Sequence, residues 1–268
     1  MPRIAKLWES DELHIYRFDH PADSDDRPYR ETAEVFRASF VEDGDFNLEV
    51  GEARWRVGTG DVMLSHPGMT FWAGFKGECF ADTCLSVVYK RGAEDGFEWP
   101  WTRAGEYVAR RSNRSRFLQW GLQRAMREDD KMLAEYCAAE IFRDPSAPNG
   151  ALYTERKFVW CAERIHAARE RLHTRYDEEH TISGLARQAG MSMFHFARVF
   201  TELVGAPPHQ YLGERRLAAA KAMIEDGRSV TETCYAVGFN NLSHFSRRFA
   251  RRFGAAPSRI GDSGDAEI

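Results

Sequence analysis

Two stretches in the C-terminal part of the chain repeat one another, and this repeat limits the fold more than any other feature. The first runs Ile182-Ser183-Gly184-Leu185-Ala186-Arg187-Gln188-Ala189-Gly190-Met191-Ser192, continues as Phe194-His195-Phe196-Ala197-Arg198-Val199-Phe200, and reaches Gly205 and Pro208. The second runs Val230-Thr231-Glu232-Thr233-Cys234-Tyr235-Ala236-Val237-Gly238-Phe239-Asn240, then Ser243-His244-Phe245-Ser246-Arg247-Arg248-Phe249, then Gly254 and Pro257. The offset is 48 residues up to the glycine and 49 from His195/His244 onward. Self-similarity of this kind marks copies of one supersecondary unit.

Each copy has the layout of two short helices about a tight turn. Helical period places Ile182, Leu185 and Ala186, or Val230, Thr233 and Cys234, inward. A small residue, Ala186 or Cys234, lets the second helix approach closely. Gly190 or Gly238 permits the positive φ such a turn needs. Ser192 caps the second helix of the first copy, and either Asn240 or Asn241 that of the second. The second helix turns Phe196, Val199 and Phe200 inward and His195 and Arg198 outward. Phe239, Phe245, Phe249 and Phe253 fill the other copy. On isolated helices Arg198 and Arg247 would read as solvated surface. Recurring at one place in two copies, they read as contacts. His195 and His244 either join them or cap a neighbouring helix.

The run Ala236–Pro257 follows the "GF…FSR.FK…G.TP" pattern of the AraC/XylS family of bacterial transcription regulators. Residues about 160–260 therefore resemble that family's DNA-binding domain. Ala256 stands where Thr is usual, and Ala250-Arg251 where Lys-Lys or Lys-Arg is usual. Gln210–Ile224 resembles the family's linker helix. The resemblance implies an all-α C-terminal domain of two helix-turn-helix units joined by that helix, reading double-stranded DNA at two major-groove boxes per chain. It implies base-facing Met193, Phe194, His195 and Arg198 in the first unit, and Leu242, Ser243, His244 and Arg247 in the second. Arginine would fork onto guanine, while Phe194 and Leu242 would meet thymine methyls or shape. Ser192, Arg215, Arg216, Arg248, Arg251 and Arg252 would hold phosphates. A homodimer, and RNA polymerase as the partner of an activator, are also implied.

Charge agrees in direction. Residues 161–261 carry 15 Lys and Arg against 10 Asp and Glu, whereas residues 1–160 carry 22 against 28. The five cysteines, Cys79, Cys84, Cys137, Cys161 and Cys234, are odd in number and scattered, as reduced thiols would be. No apolar run approaches the ~18 residues of a membrane span, and the segment from Met1 to Ser10 has no apolar core of a secretory signal. A cytoplasmic location without a membrane partner is expected. No Walker-type loop, His-Glu-x-x-His or Gly-x-Ser-x-Gly string occurs. No catalytic residue, metal or cofactor is therefore expected. The alternative is an enzyme of DNA-repair or cupin type fused to the same reader. It would need a reactive cysteine loop that neither Glu78-Cys79-Phe80 nor Trp160-Cys161-Ala162 supplies.

The N-terminal half reads as β over residues 33–90, with short segments between turn signals such as Asp43-Gly44-Asp45 and Pro67-Gly68. A small barrel or two-sheet sandwich fits this spacing. Gly58–Gly68 resembles the cupin-like barrel that many AraC-type regulators carry as an effector domain. Metal-dependent cupins carry a His-x-His pair after such a turn, and here His66 stands alone. An aromatic or otherwise apolar small-molecule effector is expected in a pocket of Phe36, Phe40, Trp55, His66, Trp72 and Phe80. Arg54 and Arg56, on either side of Trp55, point outward. Cys79 and Cys84 fall on opposite faces of an ideal strand. Helical stretches follow at about 111–142 and 152–176, separated by the breaker cluster Asp144–Gly150. The whole chain thus reads as a two-domain α+β protein. Residues 1–155 form a cupin-like effector-binding and dimerisation domain with a helical extension, 156–261 the DNA-binding domain, and 262–268 a tail.

Overall fold

A computed structural model of the chain describes residues 3–20, 29–74, 81–90, 105–143 and 151–261. Phe75, Cys79, Phe80, the 144–150 breaker cluster and the 262–268 tail lie outside the described residues. The chain divides into two compact units, Met1–Tyr153 and Thr154–Ile268.

Among the described residues, the first unit is built on nine antiparallel strands: β1 (Arg3–Glu9), β2 (Leu13–His20), β3 (Tyr29–Thr32), β4 (Arg37–Val50), β5 (Ala53–Gly58), β6 (Val62–Ser65), β7 (Thr70–Gly74), β8 (Asp82–Tyr89) and β9 (Val108–Ala109). The long β4 is their spine. Its first half, Arg37–Gly44, pairs with β8 on one side and, over Arg37–Phe40, with β6 on the other. Its second half, Asp45–Val50, pairs with β5 and β7. One sheet therefore runs β1-β2-β8-β4-β6-β9, and a second runs through β3, β7 and β5, with β4 common to both.

Two sequence expectations change here. Asp43-Gly44-Asp45 is not a turn: β4 passes through it, with a shift of register between Val41 and Asp43. The glycine serves close approach instead, because a Cβ on Gly44 would lie 1.8 Å from the Ala81 carbonyl oxygen. The sheet also begins well before residue 33. β1 is missed from sequence because it is exposed along nearly its whole length and shows no buried face, while β2 buries only Leu13 and Ile15.

Alternation along the strands makes two apolar faces. Leu13, Ile15, Ala38, Phe40, Leu85 and Val87 pack against helices α1 (Asn113–Glu128) and α2 (Lys131–Arg143) through Leu118, Leu122, Leu133 and Phe142. The opposite face meets the second sheet, where Val41, Met63 and Cys84 join Phe46, Leu48, Val57 and Phe71. The helical stretch expected over 111–142 is broken at Asp129, whose φ of 51° and N–H to the Ala125 carbonyl end α1. A buried Arg114–Glu140 pair, 2.7 Å apart, ties the two helices together.

The described residues of the second unit form helices and no strand: α3 (Glu155–Thr174), α4 (Ile182–Gln188), α5 (Met193–Val204), α6 (Pro208–Glu225), α7 (Val230–Ala236), α8 (Leu242–Phe253) and α9 (Pro257–Gly261). The sequence repeat reappears as matched geometry. Helices α5 and α8 are each 12 residues long, begin after the caps Ser192 and Asn241, and end at the left-handed Gly205 and Gly254. Pro208 and Pro257 open the next helices, where a missing N–H is harmless. Leu217, Ala220, Ile224, Cys234, Val237 and Phe245 bring α6, α7 and α8 into one core. Leu185, Ala186, Phe196, Val199, Phe200 and Leu203 are buried in the first copy.

Candidate nucleic-acid interface

The turn before α8 shows how the repeat becomes a positioned helix. Gly238 has φ 86°, and a Cβ there would stand 2.7 Å from the Asp177 carbonyl oxygen and 2.8 Å from Nη2 of Arg216. Asn241, not Asn240, caps α8: its Oδ1 accepts from the His244 amide at 2.8 Å. Ser192 Oγ accepts from the His195 amide at 3.3 Å in the first copy.

The first turns of both helices face solvent. In α5, Phe194 is 82% exposed and Met193 45%. His195 is half-buried, with its Nδ1 3.3 Å from the exposed Arg198 guanidinium, which also lies 3.9 Å from Glu202. In α8, Ser243, His244 and Arg247 are exposed. Leu242 departs from expectation: it is half-buried and packs on the core of α6, α7 and α8. It is placed there because it opens α8 on the side of Phe245 and Phe249, and it leaves the outward set to its three successors.

The expected phosphate contacts separate. Arg251 and Ser192 are exposed. Arg248 lies 4.0 Å from Glu214, and Arg252 Nε donates to the same carboxylate at 2.8 Å. Arg215 and Arg216 turn inward instead. Arg215 lies over the Tyr176 ring at 4.7 Å and donates to the His173 carbonyl at 3.3 Å. Arg216 donates from Nε to the Tyr176 carbonyl at 2.6 Å and from Nη2 to that of Glu178 at 2.8 Å. The carbonyls at the end of α3 are an electronegative terminus that attracts cations. Burial holds Arg216 below the usual arginine range, with the nearby Asp177 opposing that shift. Arg215 and Arg216 thus tie α6 to the end of α3 and to the turn that follows it.

Of the six residues expected to form an effector pocket, Phe80 lies outside the described residues, and the other five are not brought into one pocket. Phe40 lies on the face covered by α1 and α2, and Phe36 packs there edge-on to Phe142, 6.0 Å away. Trp55 packs on the other face, edge-on to Tyr107. His66 stands 6.1 Å from the Tyr107 ring, and Trp72 is 45% exposed. Cys84 is buried between the sheets, where burial and Asp82 push its thiol far above the usual range. Arg54 and Arg56 are exposed, as their flanking of Trp55 suggests. Sequence reasoning missed the inward polar set of the first sheet, which the alternation Arg37-Ala38-Ser39-Phe40 signals.

Residues 185–262 match the model described as a helix-turn-helix domain. The probable transcription factor PqrA of Proteus vulgaris is 30% identical over 84 residues, 31% of this chain and 69% of that protein. The chain belongs to the AraC family of transcriptional regulators. Similarity extends further with the MmsAB operon regulatory protein of Pseudomonas aeruginosa, 27% identical across 87% of this chain and 77% of that one. A solved structure of a probable AraC family regulator from Rhodopseudomonas palustris is 26% identical over 37% of this chain and 95% of its own, with a TM-score of 0.36. Of several longer regulators that it also matches, the chain spans 29% to 31% of the length.

Proposed function

We propose that the chain is a sequence-specific DNA-binding regulator of transcription and not an enzyme. In this reading α4–α5 and α7–α8 are two helix-turn-helix units. They are joined by α6, and α5 and α8 enter successive major-groove segments about 34 Å apart. The observation that carries the reading is the matched exposure of Arg198 and Arg247, one turn inside two equally long, equally capped helices. His195, Phe194 and Met193 complete the first reading set, and Ser243 and His244 the second. Arg251, with support from Ser192 and Arg248, holds phosphate. The regulatory names of PqrA and the MmsAB protein support this function. The N-terminal unit is a cupin-like barrel that binds a small-molecule effector and pairs two copies of the chain. An activating form would also meet RNA polymerase.

The test is selection of a duplex DNA pool by the full chain, repeated with Arg198→Ala and Arg247→Ala. A two-box motif should emerge, and each substitution should relax one box by about 1–3 kcal/mol of discrimination. Weak, unselective binding that neither substitution changes would refute the reading.

A further inference from the structure

The space between the two sheets is polar at one end, where a core would be apolar. Register aligns the inward residues of the first sheet in rows across β2, β8, β4 and β6. One row is His14, Val88, Arg37 and Ser65, and the next is Tyr16, Ser86, Ser39 and Met63. Only the third, Phe18, Cys84 and Val41, is apolar throughout. From the second sheet Glu31 shares a face with Phe71, its partner in the ladder, so its carboxylate enters the same space. Side chains here keep contact with solvent although they point inward, at 29% exposure for Arg37 and 30% for Glu31.

Arg37 is the centre of this end. Its Nη1 donates to Glu31 at 3.4 Å, and its guanidinium lies 5.6 Å from the Phe18 ring centroid. Its Nε is buried with no hydrogen-bond partner among the described residues. A buried donor without an acceptor is unfavourable. The Nε–Nη2 edge it belongs to is the two-donor fork that matches a carboxylate. Beside it the hydroxyls of Ser39 and Ser86 meet at 2.8 Å. The Glu31 carboxylate opposes a second negative charge and so favours a monoanion over a dianion.

We propose that this end of the N-terminal unit binds a small organic monocarboxylate carrying a hydroxyl group. The carboxylate sits on the Nε–Nη2 edge of Arg37, the hydroxyl at the Ser39–Ser86 pair, and the apolar body against Phe18 and Val88. This deepens the effector reading given above and rests on it, naming a chemical class and residues for the site. It replaces the apolar effector that the sequence suggests.

The experiment is calorimetric titration of the full chain with 3-hydroxybutanoate and 3-hydroxybenzoate, each beside its primary amide, with inorganic phosphate as the dianionic probe. At least one acid should bind with a dissociation constant near or below about 1 mM. Its amide should bind about tenfold more weakly or worse, and phosphate not detectably. Arg37→Gln should abolish the preference for acid over amide, and Arg37→Lys, which lacks the fork, should restore only part of it. Ser39→Ala keeps the arginine and leaves a small side chain. It should weaken the hydroxy acid but not butanoate or benzoate, which tests the site even if Arg37→Gln does not fold. The proposal fails if neither acid binds, if acid and amide bind alike, if phosphate binds as well as the acids, or if the preference survives Arg37→Gln in a folded protein. Binding is read without DNA, so a chain that takes the acid but selects no DNA sequence would overturn the regulator reading and leave this site standing.

Discussion

At the scale of single residues, the two copies of the repeat are not equivalent, and the difference lies in the turn glycines. Both have positive φ, 65° at Gly190 and 86° at Gly238. A Cβ on Gly190 meets nothing within 4 Å, whereas on Gly238 it meets the Asp177 carbonyl and the Arg216 guanidinium. Gly190→Ala should therefore lose only the left-handed preference, about 1–2 kcal/mol. Gly238→Ala should lose more, about 3 kcal/mol, because backbone as well as side chain must give way. Urea unfolding of both variants, compared at constant m, checks the order. Equal midpoints would mean that the Arg216 clamp does not press on this turn. The sequence makes both glycines legible, since the motif places them. It leaves this contact of Arg216 illegible, because the resemblance reads an arginine of the linker helix as a phosphate contact until the Tyr176 and Glu178 carbonyls are seen beside it.

At the scale of elements, capping and alternation decide what could be read. The recognition helices announce themselves: a cap, a 12-residue amphipathic run, a glycine and a proline recur with one spacing. Their caps differ in geometry, 2.8 Å from Asn241 to the His244 amide and 3.3 Å from Ser192 to that of His195. Asn241→Ala should remove about 1 kcal/mol from α8, and Ser192→Ala less from α5. Hydrogen exchange at the His244 and His195 amides should rise in that order, and the reverse order would mean the caps are not what hold these first turns. The strands are harder to read. Both faces of the first sheet carry buried apolar residues, one against helices and one against the second sheet. Alternation alone tells that Phe40 and Ser39 face opposite ways, but not that Phe40 meets Phe142 and Ser39 the interior. The aromatic-pocket expectation fails on that ambiguity, since it assigned the inside to the aromatics. Gly44 adds a second one: a glycine between two aspartates signals a turn, and only the approach of the Ala81 backbone shows why β4 runs on.

At the scale of the molecule, the helical unit carries its own cores and both outward helices, so Thr154–Ile268 should fold alone and select the same DNA motif as the full chain. Its basic residues then divide into two kinds that salt can separate. Each phosphate neutralised contributes about 0.9 to the slope of log affinity against log salt. Arg251 is exposed, and Arg251→Ala should flatten that slope by about 1 while leaving the motif unchanged. Arg216 spends its donors on the Tyr176 and Glu178 carbonyls. Arg216→Ala should therefore lower the unfolding midpoint of the fragment and leave the slope as it was. Titrations of fragment and full chain between low and moderate salt measure both quantities. A slope that falls with Arg216→Ala as it does with Arg251→Ala would return Arg216 to the DNA backbone, and the clamp on α3 would then be a resting contact that DNA displaces. A slope unchanged by Arg216→Ala, with stability lost, fixes the division of labour: one arginine holds the linker helix in place so that the other, with Arg198 and Arg247, meets DNA in a set register.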